Sequence, residues 1–209
     1  MIIKPTIKFI NHASFIISDG ITSILTDPWY QGSIFNNAWN LLYENADEDI
    51  SNILNDINYI WISHEHPDHF SINFFLKYSK KIIESNIKIL FQETIDKRVI
   101  SFLKKNNFEV VEIIDNQVFF LNDKFKIKIS KFGFYDSALI LEINNFKIFN
   151  INDCAMRTNN EISAFKKIHG NCDILLSQFS YAAWKGGVEK KNNRIQASQE
   201  KINSIINQI

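Results

Sequence analysis

Short apolar segments separated by polar turns dominate the start of the chain. Residues 6–10 and 13–18 each read as a strand, and Asp19-Gly20 is a turn signal before a third apolar segment at 21–26. Residues 30–44 are aromatic and irregular, which predicts a long loop with a helical turn. From 47 to 56 the chain opens acidic and repeats apolar residues at Ile50, Ile53, Leu54 and Ile57, the spacing of a short amphipathic helix. The run 58–63 is apolar between polar flanks and predicts a buried strand. Ser71 is placed to cap a helix reaching about residue 83. Further strands are expected at 87–91, 109–113, 118–121, 125–132, 138–143, 146–151 and 173–177. Asn144-Asn145 is a hairpin turn, and helices are expected at 93–105, 162–168 and 193–208. Strand meanders interleaved with helices predict an α/β or α+β fold, two sheets face to face with helices outside. No linker or composition break divides the chain, so residues 1–209 read as a single domain.

Composition narrows the function classes. The 209 residues are 45% hydrophobic and 22% charged, ordinary for a folded protein and unlike a disordered tail or membrane bundle. Lys+Arg and Asp+Glu are both 23, so the chain lacks the basic excess of a nucleic-acid binder. The expected partner is a small-molecule substrate, with neither nucleic acid nor membrane. Two cysteines, Cys154 and Cys172, are too few for a disulfide framework and fit a reducing compartment. With no signal peptide and no long apolar run, a cytoplasmic location is expected.

The chemistry concentrates at His64-Glu65-His66-Pro67-Asp68-His69, directly after the strand at 58–63. Histidines two apart on extended backbone point the same way, so His64 and His66 can converge on one ion, and Pro67 keeps His66 out of helical conformation. Asp68 and His69 follow where the chain turns towards the next helix. They can offer a second ligand cluster for a two-metal site. A solvated polar loop would not need three imidazoles and a carboxylate in six residues. A zincin helix is excluded because Asp68 stands where its second histidine belongs. His169, alone in a helix-to-strand connection, reads as a hydrogen-bonded core residue.

The six residues match the His-x-His-x-Asp-His signature, and the chain resembles the metallo-β-lactamase superfamily. Asn11-His12-Ala13-Ser14 and Leu25-Thr26-Asp27-Pro28-Trp29 are similar to the opening strands of its lactonase-like branch. The stretch from Asp136-Ser137 through Asp153-Cys154 to Phe179 resembles the metallo-hydrolase-like portion of CMP-N-acetylneuraminate hydroxylases. The resemblance covers about residues 6–209 and implies an αββα four-layer sandwich. It also implies His64 and His66 on a first metal, Asp68 and His69 on a second, Asp153 bridging them, and Asp27 bracing the metal loop from behind. Cys154, next to Asp153, is expected to be a small buried side chain rather than a ligand.

Two departures qualify that ligand set. The family places a histidine on a strand between the signature and the bridging aspartate, yet residues 126–141 contain none. Asp136 or Tyr135 could occupy that space, and a carboxylate there would favour Fe(II) or Mn(II) over Zn(II). The family's final histidine lies on a strand after the last helix, so that strand is expected to be missing from this chain. An unpaired sheet edge would then favour a homodimer. One or two divalent ions are expected, zinc first, with iron or manganese as alternatives.

The leading functional expectation is a metallo-hydrolase whose metal-bound hydroxide attacks an ester, lactone, amide or phosphodiester, with Asp68 returning a proton to the leaving group. A second reading is an iron-dependent oxygenase acting on a sugar nucleotide. The chain has no Cys-x-His pair of Rieske type, so an iron–sulfur partner would be separate. A third is a non-catalytic member that keeps the fold. Trp184, beside Lys185-Gly186-Gly187, is a candidate substrate contact, though a plain surface loop accounts for it as well.

Overall fold

A computed structural model describes residues 4–156, 158–178, 195–196, 198–200 and 202–203. The first apolar segments form the antiparallel strands β1 (Thr6–Asn11), β2 (Ser14–Ser18) and β3 (Ser23–Thr26), with Ile17 opposite both Ile7 and Ile24. β3 begins at Ser23 rather than 21 because the Asp19 carboxylate accepts from the N–H groups of Ile21 and Thr22 and holds them in a turn. Pairing then becomes parallel through β4 (Tyr59–Trp61), β5 (Lys88–Gln92) and β6 (Val110–Ile113). The connections carry α1 (Asp47–Asn55), α2 (Ile72–Lys77), α3 (Ser79–Glu84) and α4 (Arg98–Lys105). The strand order is β1-β2-β3-β4-β5-β6.

A second sheet has the order β11-β10-β9-β8-β7. β7 (Phe119–Asn122), β8 (Phe125–Phe132), β9 (Asp136–Ile143) and β10 (Phe146–Asn152) are antiparallel. Asn144, with φ 55°, opens the expected two-residue turn between β9 and β10. α5 (Asn159–His169) then returns the chain to β11 (Ile174–Ser177), parallel to β10.

Alternation along the strands sorts the side chains into three apolar layers. Trp61 and Leu90 point between the sheets and meet Phe125, Ile127, Leu139 and Leu141. Their neighbours Ile60, Ile62 and Ile89 point the other way, against α1 to α4. On the far side Ile140, Phe149 and Ile151 pack against Ile162 and Phe165 of α5. Strands buried on both faces read as continuous apolar runs, which is why 58–63 shows no alternation. The result is the αββα four-layer sandwich.

Local chemistry moves several boundaries. The helix expected through 83 breaks at Tyr78, where ψ is 13° and the Ser79 hydroxyl bonds the Leu76 carbonyl. α4 starts at Arg98 rather than 93: Glu93 still pairs with Ile113, and the Asp96 carboxylate caps the Arg98 N–H. α5 starts earlier than 162 because Thr158 and Glu161 form a capping box. The helical turn expected in 30–44 is instead a left-handed turn of Phe35, Asn36 and Asn37, closed by a bridge between Ile34 and Trp39. Within the expected last helix, 195–196, 198–200 and 202–203 are helical. No helix among the described residues is long and apolar enough to cross a membrane.

Candidate metal centre

β3 and β4 end, β9 begins and β10 ends at one mouth of the sandwich. These termini deliver Asp27, the His64–His69 segment, Asp136 and Asp153. The segment leaves β4 extended, and the N–H groups of His69 and Phe70 then bond the His66 carbonyl and fold it into a turn. Ser71, accepting from the Phe74 N–H, starts α2 where the sequence placed its cap.

The side chains of this segment converge. His64 Nε2 lies 2.8 Å from His66 Nδ1. Two imidazole nitrogens that close share either a proton or a cation. His69 Nε2 is 3.3 Å from Asp68 Oδ2 and 3.5 Å from Asp153 Oδ2. Asp136 Oδ1 is 3.8 Å from His64 Nδ1. His64, His69 and Asp153 each offer a ligand atom within 4.8 Å of the others, as do His12, Asp68 and His69. His12 was not singled out as a ligand in the sequence. Its only signal there was membership of the Asn11–Ser14 segment.

Asp27 stands behind this cluster, fully buried. Its carboxylate accepts from the Ser63 N–H at 2.7 Å, from the Asn152 side-chain amide, and from His69 Nδ1 at 3.1 Å. The last contact fixes which His69 nitrogen faces the mouth, namely Nε2. The Ser63 carbonyl accepts from the hydroxyl of Ser137 and the amide of Gln92, tying the first sheet to the second beside the site. Asn152, Ser137 and Gln92 carry no motif, and their roles emerge only from the fold.

The electrostatics favour bound positive charge. Burial, with His69 and His66 nearby, pushes His64 down to about 3, so its imidazole stays neutral and has a lone pair to offer. Burial opposes a charge on His69, yet Asp27, Asp153 and Asp68 together raise it well above the ordinary histidine range. Burial would raise Asp68 too, but the hydrogen bond with His12 and the nearness of His69 outweigh it and hold the carboxyl far below the usual range. Three carboxylates therefore surround one buried imidazole.

A cation fits these residues on a separate observation. Asp68 Oδ1 and His69 Nε2 are both buried and neither has a hydrogen-bond partner. A buried polar atom left in that state costs about 1–3 kcal/mol, more when charged. A divalent ion at the mouth would satisfy both atoms.

Other expected positions are equally definite. Cys154 is buried in the layer under α5, turned away from the mouth. His169 is a core residue: its Nε2 lies 3.0 Å from the Ser130 hydroxyl, and burial with Lys128 nearby pushes it down to about 4. Tyr135 stacks on His64 at 5.9 Å and meets His66 edge-on at 4.9 Å, forming a wall beside both. Trp184 lies outside the described residues. A cavity of about 470 Å³ opens beside Tyr135 and Asp136, lined also by Ile95, Arg98, Lys131 and Phe134. A larger one, about 950 Å³, lies at the other end of β9 near Ile143 and Asn144, too far away to share this chemistry.

Comparison with known proteins bears on the family and the fold. A family model described as a beta-lactamase superfamily domain matches residues 6–177. The cytidine monophosphate-N-acetylneuraminic acid hydroxylase of Danio rerio is 29% identical over 186 residues, covering 85% of this chain and 29% of that protein. The chain thus spans under a third of that relative's length. Among solved structures, CmlA, a diiron beta-hydroxylase from Streptomyces venezuelae, superposes with a TM-score of 0.64 at 13% identity, over 92% of this chain and 40% of that one. The metallo-beta-lactamase fold protein YhfI from Bacillus subtilis gives 0.52 at 14% identity, over 84% and 66%.

Proposed function

Because the chain belongs to the beta-lactamase superfamily, we propose that the mouth of its sandwich is an enzyme's metal centre, and that its donors suit iron and an oxygen-dependent hydroxylation. The observation that carries this reading is Asp136. A carboxylate stands 3.8 Å from His64 where the family resemblance led to the expectation of a histidine. Oxygen donors favour harder ions over zinc. The printed activity of the Danio rerio relative is in keeping with it. Bound iron would supply Lewis-acid charge and redox chemistry with dioxygen.

The chain's own residues have distinct tasks in this reading. His64 and His66 hold one ion, Asp68 and His69 hold the other, Asp153 stands between them, and Asp136 brings an oxygen donor to the Nδ1 side of His64. Asp27 keeps His69 Nε2 aimed at the mouth. Asp68, held ionised, serves as a ligand rather than as the proton donor first expected. Tyr135 shields His64 and His66 on the cavity side. The cavity of about 470 Å³ has room for a small-molecule substrate. A sugar nucleotide is the class we assign to it, with electrons from an iron–sulfur group outside residues 1–209.

The hydrolytic reading keeps one specific support: His12, His64, His66 and His69 make the mouth rich in imidazole, and His64 stays neutral, as zinc prefers. Loading the metal-depleted chain with Fe(II) or Zn(II) separates the two. We expect the Fe(II) form to take up dioxygen in the presence of a reductant at least tenfold faster than the same iron free in solution. A Zn(II) form that turns over lactone or phosphodiester substrates, with no oxygen uptake by the Fe(II) form, would establish hydrolysis instead.

A further inference from the structure

His12 occupies the tight turn between β1 and β2, and its backbone is left-handed, with φ 44°. Such a conformation outside glycine is uncommon and strained, so it persists only where the surroundings hold it. Here they do. The Asn11 amide donates to the Tyr43 carbonyl and to Asn45 Oδ1, both at 2.8 Å, and anchors the turn. The His12 ring meets the buried Trp29 edge-on at 5.1 Å and Trp39 at 6.5 Å. Its Nε2 is thereby aimed at Asp68 Oδ2, 3.2 Å away.

The same Asp68 oxygen is 3.3 Å from His69 Nε2, and Asp68 Oδ1 and His69 Nε2 have no hydrogen-bond partner. Ligand atoms each about 2.0–2.2 Å from one divalent ion lie roughly 3–3.5 Å apart, which is the spacing of Asp68 Oδ2 from both His12 Nε2 and His69 Nε2. A hydrogen bond alone would explain the His12–Asp68 distance. It would leave His69 Nε2, turned to the same Asp68 oxygen, unsatisfied, whereas an ion among the three side chains gives that buried nitrogen a partner.

We infer that His12 is a metal ligand, completing a His12–Asp68–His69 donor set for the second ion. This rests on the metal centre proposed above. Two imidazoles and one carboxylate accept Fe(II), Mn(II) or Zn(II), and cobalt(II) is a spectroscopic stand-in for each.

The test titrates the whole metal-depleted chain with cobalt(II), following visible absorption and bound metal per chain. The wild type is expected to bind two ions. His12→Ala and His12→Gln are expected to bind one tightly and the other at least tenfold more weakly, with loss of part of the absorption. His12→Gly, which suits a left-handed backbone, keeps the test open should the bulkier variants fold poorly, and the same single tight ion is expected. Two tight ions with wild-type absorption in the variants would overturn the ligand role while leaving the metal centre standing. So would two tight ions in His12→Gln alone, because a hydrogen-bonding side chain would then suffice. A wild type that binds no cobalt(II) would overturn the centre itself, and this inference with it.

Discussion

His66→Ala should strip the protein of metal. His66 Nδ1 and His64 Nε2 are 2.8 Å apart at the mouth, so removing one imidazole takes half of the facing pair. Losing one protein ligand from a centre held by a few typically costs affinity by orders of magnitude, because the remaining donors gain nothing in exchange. His66 is only half-buried, and its truncation should cost less than about 1 kcal/mol of stability, as for other substitutions away from the core. The control is His169→Ala. His169 is buried beside Ser130 and packs its ring on Phe165 at 4.4 Å, remote from the mouth. That variant should lose stability and keep its metal. Metal analysis of both purified variants gives the comparison. Equal metal content in the two would refute the assignment of His66.

Asp27→Ala should damage both the fold and the centre. The carboxylate is fully buried and accepts from the Ser63 N–H, the Asn152 amide and His69 Nδ1. Removing it strands three donors at once, one of them the buried His69 imidazole. Breaking a buried pair in this way costs about 3–5 kcal/mol. For a chain of this size the melting temperature would fall by on the order of 10 °C. Asp27→Asn is the more informative variant. Its carbonyl oxygen can still accept from Ser63, but its amide N–H groups face donors and leave His69 Nδ1 without an acceptor. Metal affinity should fall roughly 10–100-fold, the usual effect of removing the group that orients a ligating histidine, with a smaller loss of stability. Thermal unfolding alongside metal titration measures both. Wild-type affinity in Asp27→Asn would mean that His69 needs no bracing.

What the sequence disclosed about this site follows chain proximity. His64, His66, Asp68 and His69 were legible because they are adjacent, and because Pro67 restricts the backbone between them. Asp27 and Asp153 became legible only through family resemblance, since 42 residues separate Asp27 from the histidine it braces. Asn152 could not be read at all: an asparagine ending a strand is a common turn residue until folding brings it 125 positions back to Asp27. His12 is in the same position, an ordinary turn residue until β2 and β3 carry its turn to the mouth.

The fold followed the same logic. The buried strands stood out as apolar runs, and the hairpin at Asn144 was set by local backbone preference. Boundaries failed where a single side chain competed with the backbone, as Ser79 does at Leu76 and Asp19 does at Ile21 and Thr22. Those contests depend on rotamers and neighbours that periodicity does not encode.

Anomalous X-ray diffraction at the iron edge, from crystals of the Fe(II)-loaded protein, shows whether the imidazoles and carboxylates at this mouth hold metal. Strong anomalous peaks are expected within bonding distance of His64, His66 and His69, with Asp153 between them. Crystals with no such peak at the mouth, or with iron bound only elsewhere on the surface, would contradict a metal centre there.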